Sequence, residues 1–241
     1  MKKLILAVLI LLIQFNCHAN DYYKKPETVV CIHGFLGSDW NMAFFKKHLI
    51  RDGWEVLTWD YPSRDATIEE HARDFVKELN RIAELQPNHP ICFVAHSMGS
   101  LILRTALNSP LCPIEAKTGR IVLLTPLNQS SSFARQLSEF YLGKLLLKDC
   151  SGKELALNKD FKYLGKFPDT ANVLVIAGRL GWNPFLKEKN DGTIAVGETT
   201  LSTPYEYEEL MVGHAGILLS KKALRLTKKF LKETHPADYN H

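Results

Sequence analysis

Ala95-His96-Ser97-Met98-Gly99 places a serine hydroxyl between small residues, directly after the apolar run Ile91 to Ala95 and before the helical pattern Met98 to Leu107. That context is a nucleophile elbow, G-x-S-x-G, with Ala95 in place of the first glycine. Small residues are required because the turn is tight and the backbone crowds its neighbours. An isolated S-x-G carries little weight, since Ser97 would also suit the cap of the helix that follows. The pattern gains weight from two loops downstream. Asp191 lies in Asn190-Asp191-Gly192-Thr193, and His214 lies in Gly213-His214-Ala215-Gly216, giving the chain order serine, acid, histidine.

Acyl transfer assigns each of these a task. His214 would take the Ser97 proton as attack begins and return it to the leaving group, and Asp191 would fix the imidazole tautomer. The oxyanion needs preorganised donors. The backbone N–H of Met98 is one candidate, and that of Phe35, in the loop His33-Gly34-Phe35-Leu36-Gly37, is the other. Asp60, after the run Trp54 to Trp59, is a rival acid that precedes the serine and also reads as a turn; Asp169, before its strand, ranks third. His33 and His96 read as structural, and His48, His71, His89, His235 and His241 as surface or tail residues.

These residues need a rigid frame. Thr28 to Ile32, Trp54 to Trp59, Ile91 to Ala95, Ile121 to Leu124 and Asn172 to Ala177 are short apolar runs bounded by Pro, Gly or polar turns. Runs this apolar suit strands covered on both faces. Helical patterns separate them: Met42 to Ile50, Met98 to Leu107, Ser220 to Leu231, and Thr67 to Leu85 with a Thr67/Glu70 capping box. The alternation predicts an α/β fold with a mostly parallel central sheet and helices on both faces, whose ligands bind beyond the carboxyl ends of the strands. From Asn128 to Pro168 the rhythm breaks. An apolar helical stripe of Phe133, Leu137, Phe140 and Tyr141, followed by Leu145 to Leu147, reads as a helix on the core or as a small helical cap over an acyl-binding cleft.

The first residues form a separate unit. Met1-Lys2-Lys3, an apolar run from Leu4 to Ile13 and Ala19 make a secretory signal over residues 1–19 and leave 20–241 as a single domain with a cap-like insertion at about 128–168. The apolar run is shorter than the roughly 20 residues needed to span a bilayer. Cys17 raises the alternative of a lipoprotein anchor, though Gln14, Phe15 and Asn16 depart from a lipobox. Export to periplasm, outer membrane or medium follows from this reading. Cys31 and Cys92 sit in strand runs as small buried hydrophobes, whereas Cys112 and Cys150 lie in polar surroundings where export would allow a disulfide.

Net charge is +4, and Lys2 and Lys3 of the leader account for two of those charges. No basic cluster of five or six residues occurs, so nucleic acid is not an expected partner. No CxxC or His-rich spacing suggests a metal.

With His-Gly-Phe, Asp-Tyr-Pro-Ser, Ala-His-Ser-Met-Gly, Asp-Gly-Thr-Ile-Ala-Val and Gly-His-Ala-Gly in order, the chain resembles the bacterial lipase-like α/β-hydrolases from about Val29 to Leu231. The likeness is strongest for a subgroup that reads Pro-Asn-Gln-Gly-Ser and later Asn-Pro, where this chain has Leu127-Asn128-Gln129-Ser130-Ser131 and Asn183-Pro184. The resemblance implies an α/β-hydrolase fold, a triad of Ser97, Asp191 and His214, oxyanion donors at Phe35 and Met98, and no cofactor. The expected activity is cleavage of carboxylic esters, acyl or lipid, through an acyl-enzyme, with a small-molecule or lipid ester as partner and the membrane surface as a further candidate. An acyltransferase or thioesterase using the same residues is the nearest alternative. A non-catalytic envelope binding protein on the same scaffold is the alternative of a different class.

Overall fold

The computed structural model describes residues 27–147 and 149–233. The signal segment, Cys17, His235 and His241 lie outside them. Six strands form one sheet: β1 (Thr28–Ile32), β2 (Glu55–Trp59), β3 (Ile91–His96), β4 (Ile121–Leu124), β5 (Val173–Gly178) and β6 (Glu206–Leu210). Their spatial order is β2-β1-β3-β4-β5-β6, and every pairing is parallel. The sheet is thus wholly parallel, with helices α1 (Ala43–Arg51), α2 (Ile68–Leu85), α3 (Gly99–Leu107), α4 (Ile114–Thr118) and α8 (Lys221–Lys232) around it.

Continuous apolar runs make this possible because successive side chains point to opposite faces. Val30, Ile32, Phe93, Ala95, Leu123 and Val175 join one core with α2 and α3. The intervening Val29, Cys31, Val94, Val122, Leu124 and Ile176 join a second core with α1 and α8. Cys31 and Cys92 are buried as expected, and burial pushes the Cys31 thiol up to about 12 and that of Cys92 to about 11. The strand β6 was not among the strands read from sequence. Its Glu206-Tyr207-Glu208-Glu209-Leu210 is mostly exposed at the sheet edge, so it carries charge where an inner strand carries valine.

The helix α2 shows the agreement in detail. Thr67 Oγ1 accepts the Glu70 N–H at 3.2 Å while Glu70 Oε2 accepts the Thr67 N–H at 2.8 Å, which is the capping box. Its buried face includes Ile68, Ala72, Phe75, Val76, Leu79 and Ile82. His71, expected at the surface, falls on that same face and is 3% exposed, its ring edge-on to Tyr61. Burial lowers its pKa.

Between β4 and β5 the chain builds three short helices, α5 (Ser132–Leu137), α6 (Tyr141–Leu146) and α7 (Cys150–Leu157). The expected single stripe is broken at Ser138 to Phe140. Gly143 lies so close to the Leu137 carbonyl that any Cβ there would collide with it. The break turns Phe140 and Tyr141 outward, 53% and 86% exposed, while Ala134 and Leu147 face inward. The helix α7 is fastened to the start of α2: Glu154 Oε2 accepts the Ile68 N–H at 2.7 Å, Ala66 O accepts the Ser151 N–H at 3.1 Å, and Arg64 pairs with Asp149.

Cys112 and Cys150 are both free thiols, so the disulfide considered from sequence does not form. Cys150 donates to Asp65 O, just before α2, whereas Leu111 O, next to Cys112, accepts from Asn80 near the other end of that helix. Some 13 helical residues at about 1.5 Å each separate the two places, far beyond the roughly 7 Å between Cα atoms that a disulfide allows.

Phe75 is fully buried, with its ring 4.6 Å from that of Trp59 and 6.2 Å from that of Phe93. Phe75→Ala is expected to cost about 3–5 kcal/mol, read as a lowered midpoint in urea unfolding with an unchanged slope.

Candidate active site

Strand order reverses at β1, with β2 on one side and β3 on the other, and that is where open parallel sheets form a crevice. Ile32 pairs with Ala95, so the loops after β1 and β3 leave the sheet at the same level. Ser97 stands at the end of β3 with φ 54°, in the left-handed region that a side chain disfavours. Its backbone is held from both sides. Its N–H donates to Leu124 O at 3.1 Å, and its carbonyl accepts the Ser100 hydroxyl at 2.7 Å and the Leu127 N–H at 3.3 Å.

The turn tolerates only small neighbours. A Cβ on Gly34 would stand 2.7 Å from the Ser97 Cβ, and one on Gly99 would stand 2.6 Å from the His33 carbonyl. Ala95, in the position where the motif favours glycine, is fully buried between β1 and β4 and fits.

The structure brings the three sequence-selected residues together. His214 Nε2 lies 3.0 Å from Ser97 Oγ, and His214 Nδ1 lies 2.7 Å from Asp191 Oδ2. In the neutral imidazole, Nδ1–H donates to the carboxylate and Nε2 accepts from the serine hydroxyl. Asp191, 4% exposed, also accepts the N–H groups of Thr193 at 2.9 Å and Ile194 at 2.7 Å on Oδ1. A second tie comes from the main chain, where the His214 N–H donates to Asp191 O at 2.9 Å. Gly192 has φ 97°, which explains the glycine after the acid.

The rival acids are engaged elsewhere. Asp60 Oδ1 accepts the Asp39 N–H at 3.2 Å, and Asp169 pairs with Lys166 at 2.8 Å. His33 is a brace, as expected. It is fully buried, stacked on Tyr61 at 4.2 Å, with Nδ1 donating to Gly34 O at 2.9 Å and Nε2 accepting the Tyr61 N–H. His96 is also structural: its Nε2 donates to His214 O at 3.1 Å, and its ring lies 4.7 Å from that of His214. Burial, reinforced by the nearby His214, holds its pKa well below the usual histidine value.

Two supports were not singled out for these roles in the sequence. Ser63 Oγ accepts the N–H of Leu36, whose φ of 58° shapes the loop carrying Phe35. Asn183 Nδ2 donates to Gly192 O at 2.8 Å and so steadies the acid turn from the Asn183-Pro184 segment. Both are short polar residues beside a turn, a pattern too common to stand out without the fold.

Ser97 and His214 open on a cavity of about 210 Å³ whose walls include Phe35, Met98, Leu127, Phe133 and Leu147. The lining is predominantly apolar, and α5, α6 and α7 all contribute to it. A wider groove of about 330 Å³ between α2 and α3 contains none of the three residues. Among the described residues no cluster of His, Cys, Asp and Glu could hold a metal ion, and no helix is long and apolar enough to cross a membrane.

The profile of the Alpha/beta hydrolase family matches residues 29–195, more than half of the chain, and the protein belongs to that family. No curated protein matches it by sequence. Among solved structures, the mature Bacillus licheniformis lipase BlEst2 is similar with a TM-score of 0.70 at 14% identity, over 86% of this chain and 94% of that one. Phospholipase PlaB of Legionella pneumophila, in complex with thio-NAD, gives a TM-score of 0.68 at 17% identity, over 89% of this chain and 60% of that one. A metagenomic carboxyl esterase gives 0.60 at 18%, over 80% of this chain and 65% of that one. At these identities the likeness is one of fold.

The neutral, buried His96 has a consequence for stability. The unfolded chain gains a proton on this histidine near its ordinary value of about 6.5, which the folded protein refuses. Stability is therefore full above about pH 6.5 and declines as pH falls below it, with His71 acting in the same direction. Thermal melts between neutral and mildly acidic pH are expected to show this decline, and His96→Asn to flatten it.

Proposed function

We propose that this protein is an exported serine hydrolase that cleaves carboxylic esters of acyl chains or lipids through an acyl-enzyme. The observation that carries the reading is the unbroken hydrogen-bonded relay from Ser97 through His214 to Asp191 at the mouth of an apolar cavity. Ser97 Oγ attacks the ester carbonyl as His214 Nε2 takes its proton, and Asp191 stabilises the imidazolium so formed. The tetrahedral oxyanion is received by the backbone N–H groups of Phe35 and Met98, both of which border the cavity. Collapse expels the alcohol, which leaves with the proton from His214. Water, deprotonated in turn by His214, then releases the acid and restores Ser97.

The cavity supports an acyl group over a peptide, since its walls offer aliphatic and aromatic side chains and few polar partners. Lipase, phospholipase and esterase folds among the structural neighbours fit the same reading. Contact with a lipid surface is part of the proposal. Leu36 and Trp40 after β1, Tyr141 in α6 and Trp182 after β5 are large apolar side chains that are 56% to 89% exposed, on segments at the carboxyl edge of the sheet. Export rests on the leader in the sequence.

The test is hydrolysis of p-nitrophenyl esters of increasing acyl length by the mature protein. Ser97→Ala is expected to lower kcat by at least about a thousandfold, and Asp191→Asn by about 10³–10⁴. Added alcohols that divert the acyl group would identify a transferase. Absence of turnover at every length, with the proteins folded, overturns the esterase reading.

A further inference from the structure

Glu198 is a carboxylate in the wrong place for a surface residue. It is 5% exposed, inside the short helical turn Val196–Thr199 that follows the acid loop. No cation pairs with it among the described residues. Burying an unpaired charge is costly unless hydrogen bonds replace water, and here they do. Oε1 accepts the Ser130 hydroxyl at 2.9 Å and the Ser132 N–H at 2.7 Å, while Oε2 accepts the Ala195 N–H at 3.1 Å.

The three bonds reach two separate parts of the site. Thr193, Ile194 and Ala195 present three consecutive N–H groups: the first two go to Asp191 Oδ1 and the third to Glu198 Oε2. Glu198 thus closes the turn that supplies Asp191 with its own donors. On the other side, Ser132 is the first residue of α5, whose Phe133, Ala134 and Leu137 wall the cavity. The main chain repeats the link, since the Glu198 carbonyl accepts the Asn128 and Gln129 N–H groups, both at 3.1 Å.

We infer that Glu198 is a positioning residue that sets, through one oxygen, the acid turn of the relay and, through the other, the α5 wall against which the acyl chain lies. A carboxylate is required because both oxygens must accept. Glutamine has one acceptor and one donor, so its amide NH₂ must face either the Ala195 N–H or the Ser130 and Ser132 donors. The kinetic part of this inference rests on the esterase reading; the geometric part does not.

Glu198→Gln separates the two, measured in the mature protein by thermal melting, by the NMR resonance of the His214 Nδ1–H that bonds Asp191, and by kinetics on acetyl and octanoyl p-nitrophenyl esters over a range of pH. Ser97 and Asp191 hydrogen-bond the His214 ring and His96 lies against it, with burial holding the His96 pKa well below the usual histidine value. A loosened Asp191 supports the imidazolium less, so the acid limb of kcat/KM is expected to move to lower pH, with the Nδ1–H resonance displaced and kcat about 10- to 100-fold lower. KM is expected to rise for the octanoyl ester more than for the acetyl ester. A folded variant with an unmoved acid limb, an unmoved resonance and an unchanged ratio of the two KM values overturns the inference.

Ser130→Ala removes one Oε1 donor and leaves the Ala195 bond. It is expected to raise octanoyl KM without moving the acid limb. Should Glu198→Gln fail to fold, a Ser130→Ala protein with octanoyl KM unchanged, or with the limb displaced, overturns the division of roles. A wild type without ester turnover whose resonance still responds to Glu198→Gln sinks the esterase reading and keeps the positioning role. An active wild type whose Glu198→Gln variant leaves the resonance, the acid limb and the ratio of KM values all unmoved does the reverse.

Discussion

The backbone of Ser97 is the constraint on which the rest of the site depends. A serine at φ 54° carries strain on the order of 1–3 kcal/mol, and it persists only where its surroundings over-determine it. Four hydrogen bonds, three with main-chain partners and one from the Ser100 hydroxyl, grip the residue, at about 0.5–1.5 kcal/mol net each, enough to offset that strain. The partners of those bonds come from the end of β4, from the start of α3 and from the segment leaving β4. The sheet must therefore be parallel and in register for the turn to exist. In return the turn raises Oγ above the strand ends, in reach of His214 and clear of its own chain.

Steric exclusion around this turn explains residues that do no chemistry. Gly34 and Gly99 are fixed by distances under 3 Å to the Ser97 Cβ and the His33 carbonyl. His33 then has a role that needs no protonation: it spans from Gly34 O to the Tyr61 N–H and ties the loop after β1 to the loop after β2. Ser63, two residues on, holds the Leu36 N–H and through its carbonyl accepts the Ser151 hydroxyl of α7. A continuous polar path therefore runs from the Phe35 loop to the helices that wall the cavity.

The sequence made the relay and most of the frame readable for a physical reason. Buried parallel strands must be apolar on both faces, and an elbow must be flanked by small residues, so both leave marks that survive without a structure. Edge and turn positions leave weaker ones. The strand β6 is polar because the edge is solvated, and its alternation is masked by glutamates. His71 looked like a surface residue by type, yet its spacing from Ile68 and Phe75 already placed it on the inner face. The stripe from Phe133 to Leu147 read as one helix because periodicity ignores the close approach of Gly143 to Leu137, which only tertiary packing imposes. Glu198 was invisible as a partner of Ser130, since nothing in composition joins residues 68 positions apart.

Two buried carboxylates on one short segment set a further electrostatic condition. Buried carboxylates need hydrogen-bond donors in place of the water they lose. The fold meets this by giving each its own donors rather than a shared cation: Thr193, Ile194 and His214 for Asp191, and Ala195, Ser130 and Ser132 for Glu198. Neutral N–H and O–H dipoles stabilise the anions in place and bring no cation into the relay that could compete with His214 for Asp191. A lysine or arginine at the same position would pair with Asp191 more strongly than a neutral imidazole does, and would weaken its hold on the imidazolium when the proton arrives. Among the described residues Asp191 therefore meets the His214 imidazole and main-chain N–H groups, and Glu198 meets N–H and O–H donors alone.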